Sequence, residues 1–332
     1  MPALSVLYLG GSGIISSACT QRCLDVGMEV FVLNRGRSTT RPLPDGCQQL
    51  IGDLGDPDSV RQAISDRTFD VVADFRAFTP REVESRLDIF RDRMGQYVFI
   101  SSASAYQTPP GRLPITESTP LRNPLSEYAQ GKIACEDLLV KAYRADGLPM
   151  TIVRPSHTYD KTRLPFDGGW TVVERMRRGA EVVVHGDGTS LWTLTHHTDF
   201  ARAFVGLLGH PAAIGDSFHI TSDEWLPWNQ IFSLVGSAAG VEPKLVHVPS
   251  DAIAAADPTW GATLLGDKGN SMIFDNTKVK RLVPDYVAAI PYSRGAREII
   301  DWYDADPSRQ EVDAPMNATM DKLVAQYRID NG

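Results

Sequence analysis

Short apolar runs recur through the first third of the chain, each closed by a polar or glycine-bearing turn and followed by a stretch with helical spacing. Val6-Leu7-Tyr8-Leu9, Glu29 to Leu33, Gln49-Leu50-Ile51, Phe69 to Phe75 and Tyr97 to Ser102 read as strands. Val60 to Ile64 and Arg81 to Phe90 read as helices between them. Apolar residues fill consecutive strand positions, so neither face of these strands is patterned for water. That is how a parallel sheet covered on both sides reads. Regular alternation with short connections predicts an α/β fold with a doubly wound parallel sheet. No internal repeat, heptad run or low-complexity tract interrupts it.

The first connection carries chemistry. Gly10-Gly11-Ser12-Gly13-Ile14-Ile15-Ser16 follows the first strand and opens the first helix. Glycines there let the backbone turn tightly and let a pyrophosphate approach the amides at the helix N-terminus, where the dipole favours an anion. Ser16 stands at the third glycine position and is small enough for close helix–strand packing. The strand–turn–helix context makes this a Rossmann-type dinucleotide site, with Gly10 to Ile15 as its cradle. At the end of the second strand an NAD-binding unit carries an acid for the ribose 2′-hydroxyl. Asn34 holds that place, and Arg35 and Arg37 follow. An acid would repel a 2′-phosphate, whereas a guanidinium grips one in bidentate fashion. NADP is therefore the expected cofactor, with NAD as the alternative. Asp53 and Leu54, after the third strand, suit the adenine edge.

A second informative stretch runs from Ser101 to Lys132. Ser102 lies at the C-terminal end of a strand, where open α/β sheets bind ligands. Tyr128 and Lys132 are four apart, hence on one face of a helix. A free phenol is a poor base at neutral pH, and a nearby ammonium stabilises the phenolate. Ser102 can hydrogen-bond the reacting oxygen. Ser102, Tyr128 and Lys132 are the expected catalytic set, with Tyr128 and Lys132 also against the cofactor.

GGSGIIS, GDLGD at 52–56, FISSASAY at 99–106, YAQGK at 128–132, IVRPSHTYD at 152–160, HGDG at 185–188, HHTDFARAF at 196–204, FDNTKVKRL at 274–282 and REIIDWY at 297–303 together resemble the extended short-chain dehydrogenase/reductases. Within these the pattern is that of the NAD-dependent epimerase/dehydratase group, which acts on nucleotide sugars. VVADFRAF also resembles the branch of chloroplast stem-loop-binding proteins. The resemblance implies a sugar or nucleotide-sugar substrate and reversible hydride transfer, as in a 4-epimerase or a reductase.

Departures from the family pattern narrow this. The dehydratases of the group carry an acid/base pair after the strand-end serine, and the decarboxylases a carboxylate; Ala103 and Ser104 stand there. Dehydration and decarboxylation are therefore disfavoured. His157 replaces an asparagine that meets the sugar nucleotide, and Trp192 an arginine that clamps the diphosphate. Ser104, His157 and Trp192 are the expected substrate contacts, with Arg163, Arg175 or Lys268 as a substitute phosphate holder if Trp192 is core. His196 and Asp199 match the family's H-x-x-D and are expected to be structural.

Domain limits follow from the same motifs. Residues 1–160 should form the dinucleotide-binding domain, with the chain returning to it at about 193–222. Residues 161–192 and 223–332 should form a smaller C-terminal substrate lobe, with loops at 165–170 and 266–270. The final helix is expected over 316–327.

Composition adds exclusions. The chain has 332 residues, 42% of them hydrophobic, and a formal net charge of -8. An acidic balance argues against a general nucleic-acid surface. No run approaches a membrane span, and the first strand begins almost at once, so a cytoplasmic protein is expected. Cys19, Cys23, Cys47 and Cys135 have no metal-ligand spacing and are expected reduced, with no metal bound. A homodimer is expected. A catalytically weak cofactor-binding protein that binds RNA is the alternative from another class.

Overall fold

The computed structural model describes residues 3–37 and 40–328. Its central element is a seven-stranded, fully parallel sheet. Six strands come in sequence: β1 (Ser5–Leu9), β2 (Glu29–Asn34), β3 (Gln48–Ile51), β4 (Phe69–Asp74), β5 (Met94–Ile100) and β6 (Met150–Pro155). The seventh, Asp216–Ile220, arrives much later and pairs with β6. Across the sheet the order is seventh, β6, β5, β4, β1, β2, β3. The switch between β1 and β4 puts the ligand crevice above the C-terminal ends of those two strands.

Both faces are dry, as the unbroken apolar runs require. Val6, Tyr8, Val32, Val71, Ala73 and Val98 pack beneath α1 (Ile14–Asp25) and α6 (His197–Leu207) through Ala18, Cys19, Cys23, Phe200 and Phe204. Leu7, Leu9, Leu33, Val72, Phe99 and Ile152 face α2 (Pro57–Ile64), α3 (Pro80–Phe90) and α4 (Glu127–Asp146). Successive residues alternate between the two cores, as the period of two demands. All four cysteines are free, and Cys23 Sγ lies 3.0 Å from the Tyr8 hydroxyl.

A second core gathers Trp170, Trp192, Trp228, Phe232, Trp260 and Tyr292. It is built on α5 (Trp170–Arg177), the parallel pair Glu181–His185 and Lys244–Val248, and helices Trp228–Ala238, Tyr292–Asp304 and Ala314–Tyr327. Trp225, by contrast, is exposed. The last helix seats Met320, Leu323 and Val324 in this core. Arg175, a candidate phosphate holder from the sequence, is 2% exposed and bonds Asp321, Asn317 and the Glu181 carbonyl. It therefore ties the last helix down and faces no cleft. The expected loop at 266–270 is in large part a π-helical turn, Leu264–Lys268. His196 caps α6 and bonds Glu298, and Asp199 accepts the Ile290 N–H, so both act within the fold.

Candidate active site

The glycine turn is shaped by what crowds it. Gly10 adopts φ +91°, and a Cβ there would lie 2.3 Å from Arg76 Cγ. A Cβ on Gly11 would meet Val32 at 2.5 Å. Gly13 caps α1 and donates its N–H to Ser16 Oγ at 2.8 Å. Ser16 therefore does more than fit: its hydroxyl takes one of the unpaired amides of the first turn.

Ser12, Ile14, Ile15, Asn34, Arg35, Arg37, Asp53, Leu54, Ser102, Tyr128 and Lys132 all line one cleft of about 810 Å³, with Gly10 and Gly13 at its floor. Gly11 lies beneath, packed on Val32. Asn34 Oδ1 accepts from Gly36 N–H and Gln49 Nε2, both at 2.8 Å. Its carbonyl thus holds its own loop, leaving Arg35 and Arg37 exposed at the rim. Asp53 Oδ1 accepts the Gly55 N–H.

Three further arginines, Arg76, Arg81 and Arg86, line the same cleft and were not read from the sequence; Arg86 is paired with buried Asp74 at 3.7 Å. Arg76 follows β4, where fully buried Asp74 accepts the N–H groups of Arg76 and Ala77 and the Tyr97 hydroxyl. That turn lays Arg76 across Gly10. The signal was present in the run Asp74-Phe75-Arg76-Ala77, where a cation directly follows a strand end. A glycine cradle in which Gly10 and Gly11 leave no room for a Cβ, opening on a cleft lined by five arginines, fits a dinucleotide carrying phosphates.

A second cleft, about 660 Å³, lies on the other side of Tyr128. Ser102, Tyr128, Pro155 and Ser156 line both. Ser104, His157, Trp192, Arg163, Asp267 and Lys268 line the second only. Ser102 caps a short 3-10 turn, Ala103–Ala105, and its hydroxyl lies 2.8 Å from that of Ser104. Trp192 is both core and wall: 4% exposed, it donates its indole N–H to His157 Nδ1 at 3.1 Å.

The lysine departs from the expected geometry. Lys132 Nζ donates to the carbonyls of Ala77 and Ile100, each at 2.7 Å, and sits 5.8 Å from the Tyr128 ring centre. Burial pulls its ammonium down to about 8, against the attraction of Asp74. The Tyr128 phenol is raised by burial, lowered in part by the Ser102 hydroxyl and raised by Asp267. The phenol is thus held up, where the spacing suggested a lowered one. Burial is the main cause, and the ammonium that the spacing paired with it is held by the carbonyls of Ala77, in the β4 turn, and Ile100, at the end of β5.

The match to known families is decided by the sequence between β1 and the seventh strand. Residues 6–221 match the model of the NAD dependent epimerase/dehydratase family. The chain belongs to the NAD-dependent epimerase/dehydratase family. It is 29% identical over 290 residues to 2′-dehydrokanamycin reductase of Streptomyces kanamyceticus, covering 85% of this chain and 80% of that one. It is 28% identical over 255 residues to the chloroplast stem-loop binding protein of 41 kDa b of Arabidopsis thaliana, covering 73% and 65%. In fold it is similar to an epimerase of Methanothermobacter thermautotrophicus, with a TM-score of 0.76, 16% identity and coverage of 93% and 94%. No helix among the described residues is long and apolar enough to cross a membrane, and no group of metal-binding side chains occurs among them.

Proposed function

We propose that the protein oxidises a sugar hydroxyl, or reduces the matching ketone, with NADP in the first cleft and the sugar in the second. The observation that carries this reading is that Ser102 and Tyr128 line both clefts. A bound NADP would accept or return hydride at the carbon bearing the reacting oxygen. Tyr128, as phenolate, takes the hydroxyl proton as the C–H pair leaves and the C=O forms; the reverse returns both. Ser102 steadies that oxygen by hydrogen bonding. Lys132 holds the ends of β5 and the β4 turn together, and a ligand that drew its ammonium off those carbonyls would bring it into play at Tyr128. Arg35 and Arg37, supplemented by Arg76 and Arg81, support the 2′-phosphate cofactor over NAD. Net reduction without a nucleotide on the sugar is favoured over epimerisation by Trp192, which supplies no charge where the family clamps a diphosphate. The reductase relative supports the same direction. Dehydration stays outside the reading, because Ala103 and Ser104 offer no acid or base. Positioned proton transfer is worth roughly 10²–10⁴ in rate. Tyr128→Phe should lose about that much turnover while NADP affinity, read by fluorescence titration, stays within about twofold. Wild-type turnover in the variant would reject the assignment.

A further inference from the structure

Asp267 has no role in the steps above. It sits on the π-helical turn Leu264–Lys268, a geometry that recurs at functional sites. That turn is anchored on both flanks. Asn123 Nδ2 bridges the carbonyls of Ser104, at 2.9 Å, and Gly266, at 2.7 Å, fastening the turn to the segment that leads into α4. The Lys268 carbonyl accepts from Trp228 Nε1 and bonds His185 Nε2, both at 3.1 Å. A rigid support therefore holds a carboxylate in the wall of the substrate cleft, near enough to Tyr128 to raise its phenol.

That carboxylate makes no hydrogen bond or ion pair within the described residues. The neighbouring ammonium of Lys268 is spent on Asp167 at 2.7 Å. Trp192 offers no charge, and its N–H is spent on His157. With Nδ1 accepting that bond, the neutral imidazole carries its proton on Nε2, and Nε2 is buried without a partner. Burial holds this ring well below its ordinary value, so it stays a neutral donor. Among the described residues, the exposed Arg163 is left as the cation in the cleft without an ion pair. A diphosphate would enter beside an uncompensated carboxylate and find one guanidinium at the rim. A protonated amine would meet the reverse: an unpartnered carboxyl that its charge would hold ionised, and an N–H donor for a sugar oxygen.

We propose that Asp267 receives a protonated amine, so that the substrate is an amino sugar free of nucleotide, with His157 Nε2 donating to one of its oxygens. This rests on the hydride-transfer reading and is tested apart from it. NADP-loaded protein is titrated calorimetrically with kanamycin, glucosamine and UDP-glucose. The two amines should bind more tightly than UDP-glucose, and Asp267→Asn should weaken them by about 10- to 100-fold. NADP affinity, unchanged in the variant, reports an intact fold. His157→Phe should weaken the amines less, since it removes one neutral hydrogen bond. No binding of either amine, equal amine affinity in wild type and Asp267→Asn, or tighter binding of UDP-glucose would each overturn the proposal. Tyr128→Phe should lose turnover by roughly 10²–10⁴ and keep amine binding. If it instead keeps turnover while Asp267→Asn still releases the amines, the hydride-transfer reading fails and the amine site stands.

Discussion

Asp267 raises the Tyr128 phenol, and its own carboxyl has a thermodynamic signature. Burial, the largest influence, raises the Asp267 carboxyl to about 7, with Lys268 opposing. An unfolded aspartate titrates near 3.8. Below that pH both states are protonated and the group is neutral to stability. Between about 3.8 and 7 the folded state holds a proton that the unfolded state has lost, so stability falls as pH rises, and above 7 the full penalty remains. At one pKa unit per 1.36 kcal/mol the ceiling is on the order of 4 kcal/mol. Asp267→Asn should therefore melt higher than wild type at pH 8 by several degrees, with the gap closing as pH approaches 4. A lower melting temperature at pH 8 would count against a desolvated carboxylate. A residue that costs stability and partners nothing in the free protein is what a ligand-binding group looks like. Tyr128 was legible from its spacing to Lys132. Asp267 was not, because nothing in Gly266-Asp267-Lys268-Gly269 says that a π-turn will aim it back at a tyrosine far earlier in the chain.

Among the elements, the βαβ unit made from β1, α1 and β2 was readable from sequence almost to the residue, because hydrophobic runs and glycines are local signals. The Ser102 turn and the start of α4 were readable for the same reason. Where an element's partner is distant, the sequence said less. The side chain of Lys132 was assigned to Tyr128 by helical spacing alone, and two carbonyls contributed by the β4 turn and β5 claimed it. Arg76 shows the converse, since its importance depends on the approach of the β4 turn to Gly10. The loop after β2 carries the cofactor prediction. Arg35 and Arg37 at the rim, with Arg76 beside the cradle, should give tighter binding of NADP than of NAD. Changing Arg35 and Arg37 together to Ala should weaken NADP by about 10- to 100-fold and leave NAD nearly unaffected. Isothermal titration with the two cofactors decides it, and equal or tighter binding of NAD to the unmodified protein would refute the assignment.

Over the whole molecule, Arg35, Arg37, Arg76 and Arg81 line one cleft on a chain of net charge -8. A salt titration of RNA binding separates the enzyme reading from the RNA-binding alternative, because phosphate contacts weaken steeply with salt. Acid sensitivity is a second global property. Burial lowers His185 and His197 to about 4 and pushes His157, His196 and His219 down as well. Unfolded histidines take protons near 6.5 that the folded ones refuse, so these groups withdraw stability as pH falls from 6.5 toward 4. Urea midpoints should drop over that window, partly offset by Asp267, and a flat midpoint would contradict the buried neutral imidazoles. The late seventh strand has a consequence during synthesis. β6 is complete at Pro155, yet the strand that covers its edge begins at Asp216. At roughly 5–20 residues per second the ribosome needs several seconds to deliver it. For that interval a strand that the fold buries at every position waits with an open row of backbone donors and acceptors. Nascent chains should recruit chaperones in that window, and a chain stopped at 160 should aggregate where the full chain does not.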